Sequence, residues 1–140
     1  MIRQASKFDN DYIVDLLIEY QNIYNHAQGL DREQWSREFA HDKLNKLHAG
    51  AGFVLIDNDL NGVLCAVKSP SFWAKNTFIL QEALWYARNK KTALKLLKEY
   101  IKIGKDLIKG GLISELHFSS NGDADFSKLG AKQESTHWVI

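Results

Sequence analysis

The chain has 140 residues, 45% hydrophobic and 25% charged, which predicts one globular domain over residues 1–140 and leaves too little chain for two. A single cysteine, Cys65, excludes an internal disulfide and any multi-cysteine metal site; no run of about 18 apolar residues exists to cross a membrane. The formal net charge of +1 is unevenly placed: residues 9–42 hold eight acids against two arginines, and residues 88–109 hold eight bases against two acids, an asymmetry that suggests a local anion site.

Met1 to Ala5 reads as a short strand. Asn10 is placed to cap a helix reaching about Asn25, because Ile13, Leu16, Leu17, Tyr20, Ile23 and Tyr24 recur at helical spacing. Asp31 and Gln34 have the spacing of a capping box, with Trp35, Phe39, Leu44 and Leu47 following on a second helix. Gly52 to Asp57 and Val63 to Lys68, separated by the turn cluster 58–62, predict an antiparallel hairpin. After Ser69-Pro70-Ser71 comes a strand over Phe78 to Tyr86. Ala93 to Ile108 is the strongest helix, with Leu94, Leu97, Ile101, Gly104 and Ile108 at three and four, closed by Gly110 and Gly111. Leu112 to Phe118 predicts a strand, 121–129 a turn with a short helical piece, and Ala131 to Ile140 a last strand. This order predicts an α/β fold: a mixed central sheet of about six to seven strands covered by helices.

The junction from Leu84 through Arg88, Asn89, Lys90, Lys91 and Thr92 to Ala93 carries the most chemistry. A buried strand runs into a turn that opens directly into a long helix, and the unpaired first amides of that helix form an anion cradle. Three bases sit on the turn, so a pyrophosphate suits it.

Strand, turn and helix with Arg88-x-x-Lys91-x-Ala93 resemble the acyl-coenzyme A loop of the GNAT family of N-acetyltransferases, usually [Q/R]-x-x-G-x-[G/A]. Lys91 stands where the first glycine is usual. Asn121 after the fifth strand, and Phe126-Ser-Lys-Leu-Gly-Ala131, resemble the family's ending Y-x-K-L-G-F. Element order matches over essentially the whole chain, and Glu82-x-x-Trp85-Tyr86 is similar to small acetyltransferase-like proteins of bacteriophages.

The resemblance implies acetyl-coenzyme A as co-substrate and an amine, on a small molecule or a protein, as acceptor. It implies that amides of Asn89 to Ala93 hold the pyrophosphate, that the backbone of Leu84, Trp85 and Tyr86 pairs with the pantetheine arm, and that Lys90 or Lys91 meets the 3′-phosphate. Asn121 and Phe126 complete the implied coenzyme set. Amine attack on a thioester needs a base and an acid. Glu82 is the candidate base, read as sharing a face with Leu80 and Leu84 so that burial raises its pKa; equally, it is a structural carboxylate or a solvent-facing one at a sheet edge. The family's acidic tyrosine is Phe126 here, which has no proton to donate, leaving Tyr86, Ser119 or Ser120 as substitutes. His117 is a second candidate base.

Other readings follow from single features. Lys91, Lys95, Lys98, Lys102, Lys105 and Lys109 form one stripe opposite the apolar face, expected to be solvated. Without helix-turn-helix or zinc-finger spacing it argues against a nucleic-acid partner. Phe72 and Trp73 either line an acceptor pocket or close the core under a loop. The five histidines show no paired spacing, so no metal is expected. The segment MIRQASKFDNDYIVD has no apolar leader, and with one cysteine this predicts a cytoplasmic protein with no membrane partner. A monomer or a homodimer pairing through the C-terminal strand suits this size. The second reading of the whole chain is a GNAT-type fold without catalysis, serving as a binding or assembly module, as Phe126 and Lys91 suggest.

Overall fold

A computed structural model describes residues 1–29, 36–120, 124–135 and 140. In chain order these form β1 (Ile2–Gln4), α1 (Asn10–Gln28), α2 (Arg37–Lys46), β2 (Gly52–Asp57), β3 (Gly62–Pro70), β4 (Phe78–Ala87), α3 (Lys90–Lys109) and β5 (Glu115–His117). The strands make one mixed sheet in the order β1-β2-β3-β4-β5, antiparallel except for the last pair.

Alternation along the strands divides the core between the two faces of this sheet. Val54 and Ile56 of β2 and Val63 and Cys65 of β3 pack with Ile13, Val14, Leu16 and Leu17 of α1 and Ala40 and Leu44 of α2. Their neighbours Leu55, Leu64 and Ala66 turn the other way and pack with Leu96, Leu97 and Tyr100 of α3. Two glycines permit this approach. A Cβ on Gly62 would lie 2.8 Å from Leu96 and 2.9 Å from Thr92, and one on Gly104 would lie 2.7 Å from Leu116; both seat α3 against the sheet.

The helices and strands depart from the sequence reading in particular ways. Asn10 does not cap α1. It is buried inside the helix, where its amide donates to Asn45 Oδ1 at 2.9 Å and its Oδ1 meets His48 Nε2 at 2.8 Å. Helix α1 continues to Gln28 and ends at Gly29 with φ +64. Ser36 caps α2, accepting from Phe39 N at 3.1 Å, and Phe39 itself is exposed beneath the Lys43 ammonium while Ala40 and Leu44 are buried. The expected Asp31–Gln34 capping box and Trp35 lie outside the described residues. Helix α3 begins at Lys90 rather than Ala93, because the Asn89 side chain accepts from Thr92 N at 2.8 Å and its carbonyl from Ala93 N at 3.1 Å.

The expected six or seven strands become five among the described residues. Strand β5 is shorter than Leu112 to Phe118, since Gly111 has φ +75 and Leu112 N bonds back to Leu107 O. Residues 131–135 are not a strand, and 136–139 lie outside the described residues.

Candidate functional site

Strand β4 is paired along its whole length with β3, but with β5 only at Ile79, Leu80 and Gln81. From Glu82 onward the other edge of β4 has no strand partner among the described residues. Glu82 is the first residue past the last pair, Gln81 with His117, so it stands where β4 and β5 part. The register also shifts here: Cys65 faces Leu84 and Ala66 faces Glu82, which leaves Ala83 as an extra residue on β4. Such a bulge reverses the alternation of side chains beyond it. Leu80 packs on the α3 side, and Leu84 on the side of α1 and α2. The expectation that Glu82 shares a face with both is therefore corrected.

Glu82 is half-buried. Burial pushes its carboxyl up to about 7, while the backbone N–H and the hydroxyl of Ser119 hydrogen-bond to it and pull the other way. Ser119, offered by the sequence as one of several hydroxyls, is thus the one that meets Glu82. Tyr86 does not. Its ring packs on Tyr20 of α1 with centroids 5.3 Å apart, and its hydroxyl donates to Glu19 Oε2 at 2.7 Å. Burial and this carboxylate push its pKa up to about 12. Glu82, the candidate base, and Tyr86, one of the three hydroxyls offered as its acid, lie on opposite faces of the sheet, as do their β3 partners Ala66 and Val63.

Arg88 is exposed, and its Nε donates to the same Glu19 oxygen at 3.0 Å. These bonds, from Arg88 first and Tyr86 second, hold the Glu19 carboxyl below its usual range. Glu19 ties α1 to β4 and to the turn that follows it, a role that its place as one acid in a run does not show. The usable signal was its place beside Tyr20 on the apolar side of α1.

The far end of β4 leads into the α3 N-terminus. Asn89 occupies the amide of Thr92, the first turn has no acid, and Lys90 and Lys91 are exposed there. This end is positive and retains amides without intrahelical partners, so its donors fit a pyrophosphate. Trp85 faces α3, donating from Nε1 to Ala93 O at 3.1 Å. Its ring meets Phe118 and Phe126, which pack edge to face at 5.3 Å. Phe126 therefore holds the 3₁₀ turn Ser127–Leu129 against the mouth between β4 and β5. Asn121 lies outside the described residues.

His117 is engaged elsewhere: its Nε2 lies 2.8 Å from Glu115 Oε2, and its carbonyl accepts from the Tyr100 hydroxyl at 2.7 Å. Cys65 is buried, and burial pushes its thiol up to about 12, so no thiolate is available at neutral pH. Among the described residues, no group of three or more His, Cys, Asp or Glu side chains could hold a metal ion, and no helix is long and apolar enough to cross a membrane.

No family model and no curated protein matches the sequence. Solved structures match over its full length. A probable acetyltransferase superposes with a TM-score of 0.70 at 14% identity, covering 100% of this chain and 96% of the other. The fold is that of the acetyltransferases. A GNAT family acetyltransferase from Staphylococcus aureus (TM-score 0.65, 15% identity) and glucosamine-6-phosphate N-acetyltransferase from Arabidopsis thaliana (TM-score 0.67, 11% identity) each match 100% of this chain over 96% of their own. In this GNAT-type fold, the parting of β4 from β5 and the bare start of α3 lie along one strand.

Proposed function

We propose that this chain is an acetyl-coenzyme A-dependent N-acetyltransferase acting on an amine. The observation that carries the reading is the position of Glu82: a half-buried carboxyl with its pKa pushed up to about 7, at the point where β4 leaves β5. A base with a pKa near the working pH is best matched to proton transfer. The coenzyme would supply the thioester. The first amides of α3, with Lys90 and Lys91, would hold its pyrophosphate, and the free edge of β4 over Leu84 to Tyr86 would hold the pantetheine arm as an added strand does. The amine nitrogen would bond to the acetyl carbon while the carbon–sulfur bond breaks; Glu82 takes the proton that the nitrogen loses, and the sulfur departs as a thiolate that is protonated from solvent on release. Ser119 orients the carboxylate by its two hydrogen bonds and keeps a hydroxyl beside the reacting atoms, the role for which the sequence offered Tyr86, Ser119 or Ser120. The acidic run 9–42 favours the approach of a cationic acceptor. A cytoplasmic setting and a bacteriophage-type membership belong to the same reading, the latter resting on Glu82-x-x-Trp85-Tyr86.

The test is isothermal titration with acetyl-coenzyme A, coenzyme A and the 3′-dephospho form. Micromolar binding weakened by loss of the 3′-phosphate supports the site. An absence of heat and of thermal stabilisation at millimolar ligand refutes it and favours the second reading, a non-catalytic binding module. Phe126 favours that alternative, because its ring is packed between Trp85 and Phe118 and carries no acidic proton.

A further inference from the structure

Phe72 and Trp73 do not close the core: they are 89% and 82% exposed, two adjacent aromatic side chains left almost wholly outside. They sit on the loop between β3 and β4. The loop is stapled rather than slack. The Ser71 hydroxyl accepts from Trp73 N at 3.2 Å and Ala74 N at 3.1 Å, Ser71 N donates to Thr77 O at 2.9 Å, and Thr77 Oγ1 meets Ser114 Oγ at 2.9 Å. Holding two aromatic rings in water on an ordered loop is unfavourable unless something covers them.

The neighbourhood extends the patch. Phe78 is partly exposed with the Lys68 ammonium 4.9 Å above its ring. Ser114 N bonds Phe78 O at 2.8 Å, which brings Leu112, 63% exposed, to the same end of the sheet. From Leu60 to Gln81 the chain carries Lys68 and Lys75 and no acid. Glu115, on the adjoining strand opposite Ile79, is the acid next to this end, and its Oε2 lies 2.8 Å from His117 Nε2. Strand β4 runs from this end to the start of α3 over ten residues, roughly 30 Å, so the patch lies away from the coenzyme end of the site.

We infer that this end of the sheet docks on an anionic lipid bilayer, with Phe72 and Trp73 entering the interface and Lys68 and Lys75 meeting the headgroups. Aromatic rings favour the interfacial layer, and basic side chains beside them favour anionic lipid. A strand of nucleic acid fits less well. Phe72 and Trp73 pack edge to face at 79°, so they offer no parallel platform for successive bases, and Leu112 offers no stacking surface. The inference stands whether or not the chain is an acetyltransferase.

The test is co-sedimentation of the full chain with vesicles of phosphatidylcholine alone and of phosphatidylcholine with about 30% phosphatidylserine. Binding is expected on the anionic vesicles and should weaken with added salt. The double variant Phe72→Ser, Trp73→Ser should lose at least about fivefold of it with an unchanged melting temperature, and Lys68→Gln, Lys75→Gln should remove the preference for phosphatidylserine. Absence of wild-type binding at low salt overturns the inference. So does full binding by the aromatic double variant, which would assign the effect to the lysine stripe of α3. Binding to a single-stranded oligonucleotide but not to vesicles, lost in the aromatic variant, also overturns it and assigns the patch to nucleic acid.

Discussion

Glu82 and Tyr86, four residues apart on one strand, face opposite sides of the sheet. The extra residue at Ala83 shifts the register between them, so Glu82 meets Ser119 on the α3 side while Tyr86 meets Glu19 on α1. The separation leaves Glu82 in the candidate site and Tyr86 in a contact with α1, and each can be tested.

Glu82→Gln is expected to lower turnover about a hundredfold, with coenzyme affinity changed less than about twofold because the carboxyl lies away from the phosphate end. Tyr86→Phe is expected to cost about 1 kcal/mol of stability through the lost hydrogen bond to Glu19, and to leave turnover nearly unchanged. Steady-state kinetics and thermal melts of the two variants separate the roles. The opposite pattern would return Tyr86 to the mechanism.

The pH dependence follows from the same carboxyl. Its folded-state pKa of about 7 lies above the ordinary glutamate value, so protonation favours the folded state. That contribution is complete below about pH 4 and fades as the pH rises through about 7. Activity should run the other way, rising with pH through the same region as the base ionises. Melting curves and rates measured from about pH 5 to 9 should show the two limbs crossing, and Glu82→Gln should flatten both.

Asn89→Ala removes the cap of α3. A loss of about 1 kcal/mol is expected, read from thermal melts. Coenzyme affinity should fall as well, since fraying of the first turn disperses the amides at Lys90 and Lys91. Unchanged affinity at reduced stability would place the anion elsewhere.

Gly62→Ala puts a methyl within 3.0 Å of Leu96, Thr92 and Ala87. Side chains rather than backbone must yield, so a moderate cost of about 1 to 2 kcal/mol is expected. The displaced start of α3 should weaken binding of coenzyme A more than the thermal shift alone accounts for.

Local chemistry made most of the architecture legible. Apolar residues at three and four on α1 and α3, alternation in β2 and β3, and the glycine-rich breaks between them are short-range signals, and they led to helices and strands close to those observed. The passage from strand to helix between Arg88 and Ala93 was legible as well, although the helix starts at Lys90 and not at Ala93, because apolar spacing marks the buried face and not the Asn89 cap that sets the first turn. The stripe of lysines on α3 is exposed, as its position opposite the apolar face implied. What the sequence could not supply were contacts made across distance. The bulge at Ala83 exists only in the pairing of β4 with β3, and it decides which face each side chain meets. Ser119 reaches Glu82 only because β5 follows β4 in parallel and then stops. Glu19, 69 positions before Arg88, becomes its partner only when α1 packs on the sheet. Periodicity fixes which residues are apolar neighbours along one element, but which polar atoms meet between elements is set by register and packing, and that is decided by the tertiary structure.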